Sequence, residues 1–296
     1  MSAPDLPEII DIHTHFMPQR VLDKVWAYFD SAGPLTGRPW PITYRTDEGE
    51  RLATLRALGV RAFPSLNYAH RPGMAQWLND WSSEFAAKHD DVLHSATFYP
   101  EPGAADYTAA AIEAGARMAT HLHNACRPAH HREPGPAVAL LEDPRVGIET
   151  IVDGVHLHPA TVRRVAREAG ERWILVSDAM AAAGCGDGEF PLGPLRVRVH
   201  DGVARVVGAD GAAGAIAGST ATVAGSVRSA VAAGVDLDAA LRAATAAPAD
   251  ALGLPDVGRL RAGSRADAVV FGPELEVRGV LRHGTWVKAA APAVAD

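Results

Sequence analysis

The chain has 296 residues, enough for one large domain with a small appendage and far more than a marginal core requires. Hydrophobic residues at 48% and charged residues at 21% indicate a globular chain, and the net charge of -7, with no basic cluster, argues against a nucleic-acid partner. Two cysteines, Cys126 and Cys185, cannot make a disulfide framework, and no signal peptide or apolar run of about 18 residues is present, so we expect a cytoplasmic protein with no membrane partner.

The first part of the chain alternates predicted strands and helices. Strands are predicted at 9–15, 60–66, 92–99 and 116–122, and helices at 22–28, 46–58 and 104–114, with a Gly- and Pro-rich loop at 34–41. A further helix carries large apolar side chains at helical spacing, namely Met74, Trp77, Leu78, Trp81 and Phe85. This stripe favours a core-facing surface over a ligand site.

The second part continues the alternation and then changes character. Strands are predicted at 145–152 and 173–178, helices at 159–170, from Gly218 and at 237–252, a hairpin at 195–207, and short strands at 268–271 and 277–287. Six strands that alternate with helices predict an α/β fold with a parallel sheet. We therefore expect a TIM-like (β/α) barrel followed by a small C-terminal β element.

Polar residues end several of these apolar strands. Asp178 follows the run Trp173–Val176, where α/β barrels carry their chemistry, although an aspartate at this place can instead cap the following turn. His13 and His15 are two residues apart, so in a strand both imidazoles point the same way. His121 ends a further strand.

Together these four groups suggest a metal centre. Imidazole and carboxylate suit a divalent ion, with zinc preferred, and three protein ligands leave a position for water. A carboxylate beside such an ion can take a proton from water and return it to a leaving group, which predicts hydrolysis of an amide or ester. A single histidine is more often a satisfied polar residue, so the prediction depends on the set.

A second group suggests recognition of an anionic substrate. Arg132, His156 and the Gly218–Ser219 start of a predicted helix are donors typical of a phosphate or carboxylate site. The run Arg132-Glu133-Pro134-Gly135 is equally consistent with a salt-bridged turn, and both interpretations stay open on the residues alone.

Five motifs in order carry a family resemblance: Thr120–Ala125, His130–Gly135, Asp153–His156, Val176–Met180 and Ala217–Ser219. Over about residues 114–287 the chain resembles N-acetylglucosamine-6-phosphate deacetylases. The resemblance implies that His121 is a metal ligand and Asp178 the catalytic acid/base. It also implies contacts to the sugar phosphate from Asn124, Ala125, Arg132 and His156. The run Gly258–Asp267 resembles the return to the small β domain of the amidohydrolase superfamily.

Residues 9–115 resemble a different amidohydrolase branch, which includes metal-dependent decarboxylases. The matching runs are Asp11–His15, Phe63–Tyr68 and Ala96–Pro100. The chain is thus interpreted as a chimera with its seam near residue 115. The chain departs from the deacetylases in two ways. The run Pro102–Ala105 lacks both the metal-binding Glu and the Gly-His segment expected near it. The chain also has six predicted barrel strands where an eight-stranded barrel is expected. We expect an incomplete or distorted barrel over 1–255 and a remnant of the small β domain over 256–296.

The sequence therefore predicts a metal-dependent amidohydrolase that deacetylates N-acetylglucosamine 6-phosphate, a small-molecule substrate of amino sugar metabolism. Two alternatives remain: an amidohydrolase-related hydrolase or decarboxylase of a small carboxylate, and a non-catalytic fusion remnant. Missing strands leave either an exposed edge or a strained closure, so we expect self-association as a homo-oligomer or low thermal stability.

Overall fold

The structure is a computed structural model of the chain, and it falls into two compact units that are described separately. It describes residues 9–11, 14–31, 42, 44–97, 99, 104–113, 115–124, 126, 128–192, 195–208 and 210–288. The first unit comprises Met1–Ala116 and Pro191–Val197, and the second comprises Arg117–Phe190 and Arg198–Asp296.

The first unit contains a three-stranded parallel sheet with helices between its strands. The strands are β1 (Ile9–Ile10), β2 (Val60–Pro64) and β3 (Val92–Leu93), and the helices are α1 (Gln19–Ser31), α2 (Glu48–Ala57), α3 (Ala75–Lys88) and α4 (Ala104–Glu113). The sheet order is β1-β2-β3, and both pairs are parallel. Asp47 begins α2 with a capping box, since its side chain accepts the Glu50 N–H at 2.8 Å.

Aromatic side chains form much of the core of this unit. Phe16 packs between Phe63 and Phe85, with ring centroids 5.3 and 5.4 Å apart, and Trp81 stacks on Phe85 at 4.9 Å. The predicted stripe on α3 is confirmed as a core surface, because Leu78 and Phe85 are 1% and 2% exposed and the stripe's tryptophans pack against the same clusters.

The second unit contains another three-stranded parallel sheet. Its strands are β4 (Met118–Ala119), β5 (Gly147–Ile151) and β6 (Trp173–Val176), and its helices are α5 (Gly135–Glu142), α6 (Pro159–Ala169), α7 (Val223–Ala232), α8 (Leu237–Ala244) and α9 (Ala246–Ala251). The order β4-β5-β6 is parallel throughout. Every residue of β5 and β6 is buried, as expected of a parallel sheet covered on both faces. Trp173 donates its indole N–H to Thr150 at 2.8 Å, which satisfies two buried polar groups.

Antiparallel strands supply the remaining sheets. β7 (Gly188–Leu192), β8 (Leu195–His200), β9 (Val203–Val207) and β10 (Ala213–Ile216) have the order β10-β9-β8-β7, and β11 (Ala268–Phe271), β12 (Val277–Arg282) and β13 (Thr285–Lys288) follow in chain order. The predicted hairpin is confirmed: Asp201 and Gly202 both have positive φ, 50° and 72°, as a tight two-residue turn requires. The strand predicted over 277–287 is wrong, because a turn at His283–Gly284 divides it in two.

Several predicted strands are shorter in the structure. The strand predicted over 92–99 ends at Leu93, and the Asn79 side chain binds the backbone N–H and C=O of Thr97 at 2.7 and 3.0 Å in place of a neighbouring strand. The strand predicted over 116–122 is limited to Met118–Ala119, because the chain turns at His121. The loop predicted at 34–41 lies outside the described residues.

The predicted α/β class is confirmed, and the barrel is not seen. Within the described residues, parallel pairing stops at three strands in each sheet, so this part of the chain shows no closed barrel. The TIM-like architecture and the division at residue 255 stay predictions. No helix in the described ranges combines the length and apolar character needed to cross a membrane.

Candidate active site

The second unit places several predicted site residues after neighbouring strands. His121 follows β4, Asp153 and His156 follow β5, and Asp178 follows β6. Because the three strands are parallel and adjacent, their carboxyl ends meet at one edge of the sheet. The placement of His121 and Asp178 after strands at one edge is consistent with the sequence interpretation, and a shared site there stays a prediction.

His121 begins a tight turn with an unusual backbone. Its φ is 33° and that of His123 is 75°, a left-handed region in which residues other than glycine are uncommon. The turn is held by Leu122, whose N–H donates to the Glu149 carbonyl at 2.7 Å, and by Asn124. Both the backbone and the side-chain N–H of Asn124 donate to the His121 carbonyl, at 3.0 and 3.2 Å. These contacts fix the His121 turn, and the contact of Asn124 with the sugar phosphate stays a prediction; Ala125 lies outside the described residues.

Asp178 has a left-handed backbone as well, with φ of 45°. The chain beside it is held by the segment at residues 217–219, since the Met180 N–H donates to the Ser219 carbonyl at 2.8 Å and the Ser219 N–H donates to the Asp178 carbonyl at 3.3 Å. Ser219 is 1% exposed, and Asp178 is half-buried. Strained backbone at the end of a sheet is a recurrent property of functional sites.

The prediction that Gly218 and Ser219 open a helix is wrong. They form a bridge with the Asp178 segment, and α7 begins only at Val223, where the Thr222 side chain accepts the Gly225 N–H at 3.1 Å. The polar side chain that caps the helix stands three residues later than the sequence interpretation placed it. Gly218, with φ of 91°, and the bridge residue Ser219 therefore present loop backbone next to Asp178, not a helix N-terminus.

His156 is oriented by a carboxylate. Asp153 accepts the backbone N–H groups of Val155 and His156, each at 2.9 Å, and its other oxygen lies 2.7 Å from His156 Nδ1. Nδ1 therefore carries a proton, and Nε2 is the nitrogen presented away from Asp153. Burial acts to raise the pKa of Asp153, but the hydrogen bonds from His156 and Val155 outweigh it, so the pKa lies below its usual range.

Glu149 is a residue that the sequence interpretation missed. It lies in the middle of β5 and is 1% exposed. Burial raises its pKa to about 8; a hydrogen bond from the His121 backbone acts in the opposite direction, and the nearby charge of Asp178 adds to the rise. The available signal was one acidic residue within the apolar run Val146–Val152, because burial of a carboxylate in such a strand is costly unless the group has a partner.

Arg132 lies in an exposed turn. The turn is closed by a backbone bridge between His130 and Glu133, and the Arg132 N–H donates to His130 Nδ1 at 3.3 Å. The helix α5 then begins at Gly135 with Pro134 as its N-cap residue, an element absent from the sequence interpretation. The turn is consistent with both proposed roles of Arg132, phosphate donor and structural turn residue.

In the first unit, His15 lies five residues after Ile10, the last residue of β1. His15 forms a parallel bridge with Leu66, and its Nδ1 donates to the Leu66 carbonyl at 3.2 Å. This bond places the imidazole lone pair on Nε2, the arrangement typical of a histidine that binds a metal. His13 lies outside the described residues. Because His15 belongs to the first unit and His121 and Asp178 to the second, the four-ligand site stays a prediction.

A different cluster of possible metal ligands lies at the β8–β9 hairpin. Among the described residues, only Asp187, His200 and Asp201 bring three ligand atoms within 4.8 Å of one another, and all three are exposed. Asp187 already accepts the N–H groups of Asp201 and Gly202, at 2.8 and 3.0 Å. These backbone hydrogen bonds hold the pKa of Asp187 below its usual range. This carboxylate is thus accounted for as a cap on the tight turn.

Comparison with known sequences identifies the relatives of this chain. The sequence model of the amidohydrolase family matches residues 66–287. An N-acetylgalactosamine-6-phosphate deacetylase of Escherichia coli O157:H7 is 40% identical over 179 residues, which are 60% of this chain and 46% of that protein. An N-acetylglucosamine-6-phosphate deacetylase of Vibrio furnissii is 35% identical over 188 residues, 62% of this chain and 45% of that protein. The chain thus spans about half the length of these curated relatives.

Comparison with solved structures agrees. A mutant N-acetyl-D-glucosamine-6-phosphate deacetylase of Mycobacterium smegmatis, in complex with N-acetyl-D-glucosamine-6-phosphate, has a TM-score of 0.65 and 38% identity, and the match covers 95% of this chain and 76% of that one. The N-acetylglucosamine-6-phosphate deacetylase of Thermotoga maritima has a TM-score of 0.67 and 24% identity over 95% of this chain and 88% of that one, a likeness of fold alone. The resemblance of residues 9–115 to the decarboxylase-containing branch, and the chimeric origin, stay predictions.

Proposed function

We propose that this chain, which belongs to the amidohydrolase family, hydrolyses the acetamide group of N-acetylglucosamine 6-phosphate. The products are glucosamine 6-phosphate and acetate. The observation that carries the proposal is the edge of the second parallel sheet, where His121, His156 and Asp178 follow three adjacent strands. The names of the relatives, deacetylases of phosphorylated amino sugars, support the choice of substrate.

The residues present suit a divalent metal ion, for which we propose zinc. His121 offers an imidazole and Asp178 a carboxylate, and the bond from His15 Nδ1 to Leu66 leaves Nε2 to act as a ligand. We propose His13, His15 and His121 as ligands, with Asp178 as the fourth ligand or a close neighbour. When bound, such an ion polarises the acetyl carbonyl and lowers the pKa of a water molecule.

Asp178 is the group we propose for proton transfer. Its carboxylate takes a proton from the attacking water as the C–O bond forms at the acetyl carbon, and it then delivers that proton to the amide nitrogen as the C–N bond breaks. The second proton of the water, left on the acetic acid that forms, passes to the amine, so the products are acetate and the ammonium form of glucosamine 6-phosphate, and atoms and charges balance. The hydrogen bond from the Ser219 N–H to the Asp178 carbonyl fixes the backbone that carries this half-buried side chain.

The remaining residues bind and orient the sugar phosphate. His156, fixed by Asp153, presents Nε2 to a polar group of the substrate, and Gly218 and Ser219 bring backbone close to Asp178. Arg132 is the donor we propose for the phosphate, where a guanidinium can make paired, charge-assisted hydrogen bonds. Exposure of Arg132 suits a group that meets a doubly charged substrate from solution.

Metal content of the purified protein tests the metal centre directly. We expect one divalent ion per chain, and we expect the double change His13→Ala and His15→Ala to abolish binding. The matched control changes His70 and His94 to alanine, which removes two imidazoles of the same unit from outside the proposed site. Stoichiometric metal in the His13/His15 variant would show that the composite site is wrong.

The substrate is tested with both epimers, because a relative that is 40% identical is named for the galactosamine compound. Initial rates with N-acetylglucosamine 6-phosphate and N-acetylgalactosamine 6-phosphate, measured by acetate release, give the ratio of kcat/KM. We expect hydrolysis of at least one of them and a preference for the glucosamine epimer. Release of no acetate from either compound by metal-loaded protein would refute the proposed activity.

The Arg132→Ala variant tests the phosphate contact. We expect KM for the phosphorylated sugar to rise by roughly 10–100-fold with little change in kcat, because a remote charged hydrogen bond contributes about 1.5–3 kcal/mol to ground state and transition state alike. Arg167→Ala removes an exposed guanidinium from α6 and serves as the control. An unchanged KM would remove Arg132 from the pocket and favour its role as a turn residue.

A further inference from the structure

Glu149 occupies a position where a carboxyl group is costly. It lies at the centre of β5, with β4 on one side and β6 on the other, and only 1% of the residue is exposed. An apolar side chain of similar size would fill this space without loss of hydration, and such replacements are often neutral or stabilising. The carboxyl therefore needs an explanation other than stability of the sheet.

The contacts of Glu149 supply that explanation. Its carboxyl accepts a hydrogen bond from the backbone N–H of His121. The second oxygen, Oε1, is buried and has no hydrogen-bond partner among the described residues. Glu149 is also close enough to Asp178 to be affected by its charge. One buried side chain thus touches or faces both groups that we assign to the metal and to proton transfer.

The backbone of His121 depends on such a contact. In its left-handed conformation, with φ of 33°, the peptide N–H points into the buried interior of the sheet, toward Glu149. Without an acceptor that N–H would be left unpaired, and the turn would lose an interaction that offsets its strain. Since the imidazole direction follows from the backbone that carries it, a shift of the turn would move the metal ligand.

We propose that Glu149 is a positioning residue that fixes the His121 turn and thereby the direction of its imidazole toward the metal ion. The inference rests on the proposed function, because it takes His121 as a ligand. It adds a residue from the interior of β5 to the site. It also predicts a specific pair of effects: loss of the carboxyl weakens metal binding while the stability of the fold changes little, because removal of the buried carboxyl offsets the loss of the acceptor for the His121 N–H.

The test compares Glu149→Leu, Glu149→Gln and the wild type. We expect zinc affinity, measured by competition with a chromophoric chelator, to fall about 10–100-fold in the leucine variant, as for other partners of metal ligands. Its melting temperature, measured without metal, should stay close to that of the wild type, because the gain from removing a buried carboxyl offsets the unpaired His121 N–H. Glutamine keeps an acceptor oxygen and should restore most of the affinity. Amide hydrogen exchange at His121 in the metal-free protein should be faster in the leucine variant alone.

Ser226→Ala is the matched control, since Ser226 is likewise fully buried in the second unit with an unpartnered polar atom. It should leave zinc affinity unchanged. If Glu149→Leu does not fold, Glu149→Met takes its place in the same measurements. If the apolar variant keeps the zinc affinity and the His121 amide exchange rate of the wild type, the role of Glu149 is refuted and the proposed function is not affected. Absence of zinc binding by the wild type would overturn both the proposed function and the inference.

Discussion

Gly218 lies where the chain beside Asp178 leaves little room for a side chain. Its φ is +91°, and a Cβ atom built on it would lie 3.2 Å from Met180 Cβ and 3.5 Å from Met180 Cγ. Met180 Cβ is bonded directly to the backbone, so rotation of the Met180 side chain cannot relieve this first contact. The perturbation that tests this packing is Gly218→Ala.

The expected cost has three parts. A left-handed backbone costs a residue with a side chain about 1–2 kcal/mol, and forced overpacking costs about 1–3 kcal/mol more. Alanine recovers roughly 0.4–1 kcal/mol because it restricts the unfolded chain. We expect the free energy of unfolding to fall by about 3 kcal/mol in Gly218→Ala. We also expect kcat to fall, since the Met180 segment moves together with Asp178.

Urea unfolding followed by circular dichroism measures this difference. Gly253→Ala is the control, because Gly253 has φ of +66° in the same unit but nothing within 4 Å of its Cβ position. That variant should lose about 1 kcal/mol, from strain alone. A Gly218→Ala protein that is no less stable than the control, with unchanged kcat, would refute the argument that Met180 constrains this segment.

Two further predictions concern acid stability and association. The pKa of Asp153 is lowered in the folded protein, so its contribution to stability is present above its unfolded pKa of about 3.9 and is lost as the pH falls through the folded value. Below about pH 4 the free energy of unfolding should therefore fall more steeply in the wild type than in Asp153→Asn, and equal slopes would contradict the assignment. Sedimentation at several concentrations should show self-association, or a melting curve should show low stability; a compact monomer that melts well above about 45–65 °C would contradict both.

Local chemistry decided which elements could be predicted from sequence. The Asp201-Gly202 pair specified its turn because both residues tolerate positive φ, and Pro159 with Gly170 marked the two ends of α6. The Asp178 position followed from an apolar run that ends in a polar residue. In each case the signal lies within a few residues of the feature it predicts.

The missed features depend on contacts that are distant in sequence. The turn at His121 requires two acceptors from Glu149, its carbonyl and its carboxyl, 28 positions later in the chain. The non-helical conformation at Gly218 and Ser219 accompanies the bridge between Ser219 and Ala179, and it overrides a Ser-Thr sequence that is typical of a helix start. Periodicity alone could not reveal either pairing, and the same limit hid the role of Glu149.

Each parallel sheet joins strands that are consecutive in the chain, and this bears on how the protein forms. Among the described strands, β1, β2 and β3 pair with their sequence neighbours, and so do β4, β5 and β6. The loops that must close are therefore short compared with the whole chain, which lowers the entropic barrier to pairing. All three strands of the first sheet are complete by residue 93, so they can pair during synthesis before β4 has left the ribosome.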